Sequence, residues 1–466
     1  MRLRPLSAFL VPVLLAGCTV GPDYQRPEMA VSDQWMEPVS ADPVDPRWWD
    51  RFNDPVLTAL VERAFADSPG LAEASARLAE ARAQREAAQG GRLPQGGTSA
   101  SVTENRLSEN GQLPVGSIPG FDPTFPLFDT GFDASWEIDL WGKTSREVES
   151  AAAREQAAMW AERDARIVLA AEIARAYVDC RQAQAQLAIL RQEADAAANV
   201  ARLTGLLADA GEANRIDASR AASSSQAAQI ALRNIEAEVA GAEYRLAVLA
   251  GATPEAIVPE LQATSAPVPE APDIIASGIR SDLLTRRPDI RRAERELAAA
   301  TAGIGVATAD LYPRFSLIGS LGQQAQQTGD LFDSASTRYS VGPSVSWPIF
   351  SLGTIRAQVR AADARAQAAA ARYEAAIIQA LADSEGAANR FAAASASARA
   401  AQLALEREQE AYRLVRMREE RGEDSRLVLE QARLSLTRAE RQALQARAGR
   451  SAAAIAFYKA LGGGWQ

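Results

Sequence analysis

Two periods of apolar residues run along this chain. In one stretch Phe128, Thr130, Phe132, Ala134, Trp136 and Ile138 alternate with Asp129, Gly131, Asp133, Ser135, Glu137 and Asp139. Tyr339, Val341, Pro343, Val345 and Trp347 alternate with Ser340, Gly342, Ser344 and Ser346, and Phe315, Leu317, Gly319 and Leu321 repeat the pattern. A two-residue period places one set on each face of a strand. A weaker first strand is expected around Thr98–Thr103. Elsewhere apolar residues recur at steps of three and four, as in Ala170, Ile173, Ala174 and Tyr177, which is one stripe of a helix in a coiled-coil-like bundle.

Proline sets the boundaries. None occurs between Pro126 and Pro254 or after Pro348, and each proline inside a helix costs about 3 kcal/mol. Two long helices are therefore expected, from near Gly142 to about Leu207 and from near Gly353 to about Arg421. At 1.5 Å per residue, roughly 65 residues reach about 100 Å. Each is followed by a glycine break and a helix of nearly 40 residues. Gly142 with Gly353, Gly211 with Gly422, Gly251 with Gly462, and Trp136 with Trp347 share one spacing of 211 residues. Pro69 with Pro288 and Pro94 with Pro313 share a spacing of 219.

The chain thus reads as a tandem repeat. Residues 55–260 form one copy, with a β-hairpin near 97–139, and residues 274–466 the other, with a hairpin near 313–349. A proline-rich linker at 261–273 joins them, part of the run Pro254–Pro272. Each copy is expected to open with a short helix, Pro55–Ala66 and Ile274–Leu284. A helix of about 24 residues then runs from Pro69 to Pro94 or from Pro288 to Pro313.

Composition narrows the chemistry. The 466 residues contain no histidine, two cysteines and 23% charged residues, and the net charge is −9. The missing histidines remove Ser-His-Asp triads, Cys-His pairs and histidine-ligated zinc. The acidic balance argues against nucleic acid as a partner. No nucleotide loop, metal cluster or nucleophile with a base is apparent, so no enzyme and no cofactor are expected. Roughly a fifth of the residues are alanine, which suits helices packed closely together.

The N-terminus carries basic Arg2 and Arg4, an apolar run from Leu6 to Leu15, then Ala16, Gly17 and Cys18. This is the pattern of a signal peptide at 1–17, with a bacterial lipobox that makes Cys18 the lipid-attachment residue. Residues 18–54 then form a lipidated N-terminal segment. The other cysteine, Cys180, lies in a helical stretch and is expected to be a buried thiol, with no disulfide framework. No later apolar run is long enough for a transmembrane helix.

Four strands of about 10 residues are long enough to cross an outer membrane. Their acidic, small-residue face and their aromatic strand ends fit a barrel better than a soluble sheet. Four are too few to close one, and lipid tolerates no open sheet edge. Oligomers are therefore expected: eight strands from two copies, or twelve from three.

At this point the chain resembles the outer membrane factor family of TolC-like efflux ducts, and within it the NodT-type lipoproteins. The resemblance rests on Cys18-Thr19-Val20-Gly21-Pro22-Asp23-Tyr24 with Arg26-Pro27, Trp48-Trp49 with Phe52 and Asp54-Pro55, and Trp136-Glu137-Ile138-Asp139-Leu140-Trp141-Gly142. Arg286-Arg287-Pro288-Asp289-Ile290 with Ala293-Glu294, and Tyr458-Lys459-Ala460-Leu461-Gly462-Gly463-Gly464-Trp465, complete it. It implies a mainly α fold with a small β part: four transmembrane strands per chain, a twelve-stranded barrel in a homotrimer, and a long periplasmic α-helical tunnel. It implies a periplasmic adaptor (membrane fusion protein) and an inner-membrane transporter of the resistance-nodulation-division (RND) type as partners, with outer-membrane lipid around the barrel. The implied function is a passive exit duct for drugs and other toxic small molecules. Metal-ion efflux and type I-like secretion are the alternatives.

The resemblance also implies a periplasmic gate where the helical hairpins turn, at Gly211 and Gly422, which would also dock the adaptor. Leu427 takes the place of an apolar constriction, and Asp217 and Arg418 that of a latch. Arg421, Glu423 and Asp424 stand nearby. The family often has an aspartate one turn beyond the constriction. Here that position is Gln431, with Glu430 before it.

Overall fold

The computed structural model describes residues 19–108, 119–120, 122–263 and 266–465. The signal peptide and Cys18 lie outside the described residues. The elements are α1 (Pro55–Asp67), α2 (Pro69–Gly90), β1 (Gln95–Arg106), β2 (Thr124–Ile138), α3 (Lys143–Asp209), α4 (Arg215–Leu249), α5 (Pro254–Ala263), α6 (Leu283–Arg286), α7 (Pro288–Ala309), β3 (Arg314–Ala325), β4 (Thr337–Ser346), α8 (Leu352–Glu420) and α9 (Arg426–Ala460). They fall into two compact units, and α3 and α8 each run from one into the other.

The first unit holds the sheet, whose strands lie in the order β1-β2-β3-β4, all antiparallel. Directly paired residues share a face. The register aligns Thr98, Phe132, Leu321 and Tyr339 in one row, and Gly96, Ala134, Gly319 and Val341 in the next. The three alternations read from sequence therefore fall on one face. That face is bare: Val102, Leu321, Tyr339, Val341 and Val345 are all exposed. The opposite face carries Ser99, Asp129, Asp133, Ser320 and Ser340. Apolar outside and polar inside is the pattern of a membrane barrel wall. Among the described residues no helix is long and apolar enough to cross a membrane.

At the foot of the sheet Asp139 caps α3, accepting from the Thr144 and Ser145 amides at 3.1 and 2.8 Å. The chain just after Cys18 is seated here. The Val20 amide donates to the Trp141 carbonyl at 3.0 Å. The almost fully buried Arg146 donates to the Val20 carbonyl and to the Asp23 carboxylate. Gly142 has φ of +76°, and a Cβ there would stand 2.6 Å from Thr19 Cγ2.

The second unit is built around Trp48, Leu57, Leu60, Ile173, Tyr177, Leu246, Ile257 and Phe457, all essentially inaccessible. The predicted stripe of Ala170, Ile173, Ala174 and Tyr177 lies wholly in this core. One hydrogen-bonded chain runs through it. Asp54 caps α1 with one carboxylate oxygen and accepts from the Tyr177 hydroxyl with the other. Arg181 donates to the Tyr177 hydroxyl and to Gln184 Oε1. Gln184 and Gln262 each donate to buried Glu243 at 3.0 Å. Every carboxylate oxygen along this path is satisfied, as burial requires.

Three sequence expectations change. Residues 274–284 do not form a short helix. They hold a parallel bridge from Ala276 to Ser40, a 3-10 turn at Arg280–Asp282, and the start of the four-residue α6. The proline-rich run is partly helical, because α5 begins on Pro254 and contains Pro259. Gly353 is not the counterpart of Gly142 in conformation: it lies inside α8 and has no positive φ.

Candidate functional site: the hairpin tips

Both hairpin tips belong to the second unit. The α3–α4 turn is closed by amides of Gly211 and Glu212 donating to the carbonyls of Ala208 and Leu207 at 3.1 and 2.8 Å. The α8–α9 turn repeats this 211 residues later, with Gly422 donating to Glu419 and Glu423 to Arg418, both at 2.9 Å. Gly211 and Gly422 have φ of +80° and +74°, the left-handed conformation that glycine adopts freely at a helix end. Asn214 caps α4 and Ser425 caps α9.

The two tips differ in charge. At the second, Arg418 grips Asp424, Nη2 to Oδ1 and Nε to Oδ2 both at 3.1 Å, and lies 3.7 Å from Glu423. Arg426 holds Glu430 at 2.8 Å and Glu419 at 3.6 Å. At the first tip, Asp217 lies 4.0 Å from Arg220 on an exposed face. Within the chain Asp217 and Arg418 are therefore not brought together as a latch. Arg418 is occupied by its own hairpin.

Leu427 is half-buried and Gln431, one turn on, is exposed. Glu430 does not share their surface. Its side chain is 1% exposed, and its Oε2 has no hydrogen-bond partner. Within its own chain Glu430 is thus a buried carboxylate beside Arg426, apart from the exposed face that carries Gln431. Sequence reasoning did not name Arg426, which neutralises it. The signal available was the four-residue spacing from Arg426 to Glu430, which places both on one helix face.

A sheet with one bare apolar face and one polar face, in a chain that also folds two helical hairpins whose first arms are 67 and 69 residues long, has the elements of an outer-membrane duct. The sequence matches the family described as Outer membrane efflux protein over residues 60–252 and 279–463. The pyoverdine export outer membrane protein OpmQ of Pseudomonas aeruginosa is 30% identical over 472 residues, covering 100% of this chain and 98% of that protein. The toluene efflux pump outer membrane protein TtgF of Pseudomonas putida is 28% identical over 486 residues, with 100% and 98% covered. The solved structure of the outer-membrane channel OprN superposes with a TM-score of 0.84 at 34% identity, over 96% of this chain and 100% of that one. The chain belongs to the outer membrane efflux protein family. It has the TolC-like fold and serves as the outer-membrane exit duct of an efflux pump.

Proposed function

We propose that the chain works as a homotrimer, anchored by a lipid on Cys18, that passively conducts toxic small molecules from a periplasmic adaptor and an RND transporter to the exterior. The observation that carries this is the pair of open edges. β1 and β4 end a four-stranded sheet whose apolar face is exposed. In lipid those edges must pair, and three copies give twelve strands, enough to leave a channel. The substrates of these two relatives, pyoverdine and toluene, are chemically unlike each other, which supports a duct that leaves selection to the pump.

The gate in this reading lies at the α8–α9 tip. Three-fold symmetry repeats each inward residue three times. A ring of Leu427 side chains closes the passage by excluding water, and the Arg418–Asp424 grip holds each tip in the closed shape. Single-channel conductance of the reconstituted protein tests this. Leu427→Ala combined with Arg418→Ala should raise the open conductance or open probability. A double variant as closed as wild type overturns the gate. Co-purification after crosslinking in cells tests the partners: an adaptor and an RND transporter are expected, and a chain recovered alone overturns that part.

A further inference from the structure

The sheet carries an ion pair that spans three strands. Arg338 on β4 donates from Nε and Nη2 to the two carboxylate oxygens of Asp129 on β2, at 3.0 and 2.7 Å. Gln324 on β3 donates to the same carboxylate at 2.9 Å. Arg338 is in register with Gly322, and Gly322 with Gly131. The guanidinium passes over Gly322 on β3 and reaches Gly131 on β2. A Cβ on Gly322 would lie 3.3 Å from Arg338 Cζ, and one on Gly131 would lie 3.4 Å from Nη2. The two missing side chains clear a track along which the arginine lies flat.

A fork-to-fork pair of this kind fixes orientation as well as charge. It lies on the polar face, where Asp133 and Glu137 project from the same side of β2. Near the foot of that face, Arg314 is spoken for by Asp310 at 2.6 Å. With Arg338 tied to Asp129, the fixed charge left on this face is acidic.

We propose that Asp129 is a positioning residue for the ion preference of the exit barrel. It holds Arg338 against the inner wall, so that the bore stays clear and the carboxylates of Asp133 and Glu137 set a preference for cations. The proposal rests on the reading that three copies close the sheet with this face inside. Symmetry then makes a ring of three such pairs, and charged rings of this kind decide ion selectivity in pores.

Reversal potentials across planar bilayers in a potassium chloride gradient test it, using the full-length reconstituted protein. Asp129→Asn frees three arginines and should shift the potential toward anions. Arg338→Gln frees three carboxylates and should shift it toward cations. The double variant should return close to wild type. Arg338→Lys keeps the charge but not the fork, and should move the preference toward anions by less than Asp129→Asn. Opposite shifts that cancel are not expected of a brace that only stiffens the sheet. Single variants at the wild-type potential overturn the inference, as do two shifts of one sign. Lower heat stability with unmoved potentials assigns the pair to bracing alone and also overturns it. If the wild type itself forms no channel, the duct reading fails instead.

Discussion

Trp136 and Trp347 make the same bond 211 residues apart. The Trp136 indole donates to the Arg92 carbonyl at 3.0 Å, and the Trp347 indole donates to the Leu311 carbonyl at 3.1 Å. Each acceptor stands two residues before the proline that leads into the hairpin, Pro94 or Pro313. The end of each second strand is thereby tied to the start of the first, at the foot of the sheet. Replacing either tryptophan by phenylalanine keeps most of the ring and loses the bond. Each change should cost about 1 kcal/mol, and the two should add because they share no partner. The heat-induced mobility shift of the purified oligomer measures this. Wild-type behaviour in the double variant would show that the bonds contribute nothing.

The paired glycines should separate by conformation rather than by position in the repeat. Gly211 and Gly422 have open space where a Cβ would stand, so alanine meets no clash there. The cost is backbone strain alone, about 1–2 kcal/mol at each positive φ. Gly353 sits in open space within α8, and Gly353→Ala should be neutral or stabilise by about 0.5 kcal/mol. Hydrogen exchange at the tips and at the start of α8 distinguishes these outcomes. Equal destabilisation at all three sites would contradict the assignment.

The repeat and the strands were legible because backbone and burial rules act locally. A left-handed turn needs glycine, a helix interior rejects proline, and a bare sheet face needs every second residue apolar. The helix expected at residues 274–284 failed for the opposite reason. Ala276 bridges Ser40, and Ser277 and Gly278 donate to Ser40 and Asp42 at 3.0 and 2.9 Å. Partners so distant in sequence override local propensity and leave no periodic trace. The proline run misled differently: Pro254 opens α5, where its missing amide hydrogen is no loss. At the candidate site the turns were readable from Gly211 and Gly422. The burial of Glu430 was not, because charge alone reads as surface.

Cys180 should be silent in the native protein. Its thiol is fully buried, and burial, with Glu243 nearby, pushes its pKa up to about 11. A thiol reagent at pH 8 should find no reactive group until the chain is unfolded. With Cys18 carrying a lipid, one thiol should then appear, and two would refute that modification. The folded pKa lies above the ordinary thiol value of 9.0. The unfolded chain therefore ionises first between about pH 9 and 11, and stability falls over that window as pH rises. A substitution to alanine should flatten this part of the pH–stability curve.

At the tips, Arg418 and Asp217 should behave differently. Arg418 grips Asp424, whose side chain is only 18% exposed, whereas Asp217 faces solvent beside Arg220. Asp217→Asn removes an exposed pair worth about 0–1 kcal/mol and should leave channel closure unchanged. Arg418→Ala leaves the half-sheltered Asp424 without its cation and should raise open probability. The reverse order of effects in single-channel recordings would return the latch to Asp217.

Arg426 and Glu430 offer the sharpest test of the second tip. Glu430 is buried with one oxygen unpartnered, and Arg426 is the cation beside its other oxygen. Removing one partner of a buried pair costs more than the pair contributes, because the remaining charge stays desolvated. Arg426 is itself about half exposed, so the cost of Arg426→Ala should fall near the lower range, about 1–3 kcal/mol. Glu430→Gln removes the charge while keeping the shape, and should cost less. Combined with Arg426→Ala it should recover part of the loss, because no buried carboxylate is left stranded. Thermal unfolding of the four proteins closes this cycle. Simple additivity would mean that Glu430 does not depend on Arg426, and that some other group neutralises it in the assembled protein. A positive coupling with raised open probability in Arg426→Ala would join tip stability to closure, since the same arginine also reaches Glu419 on α8.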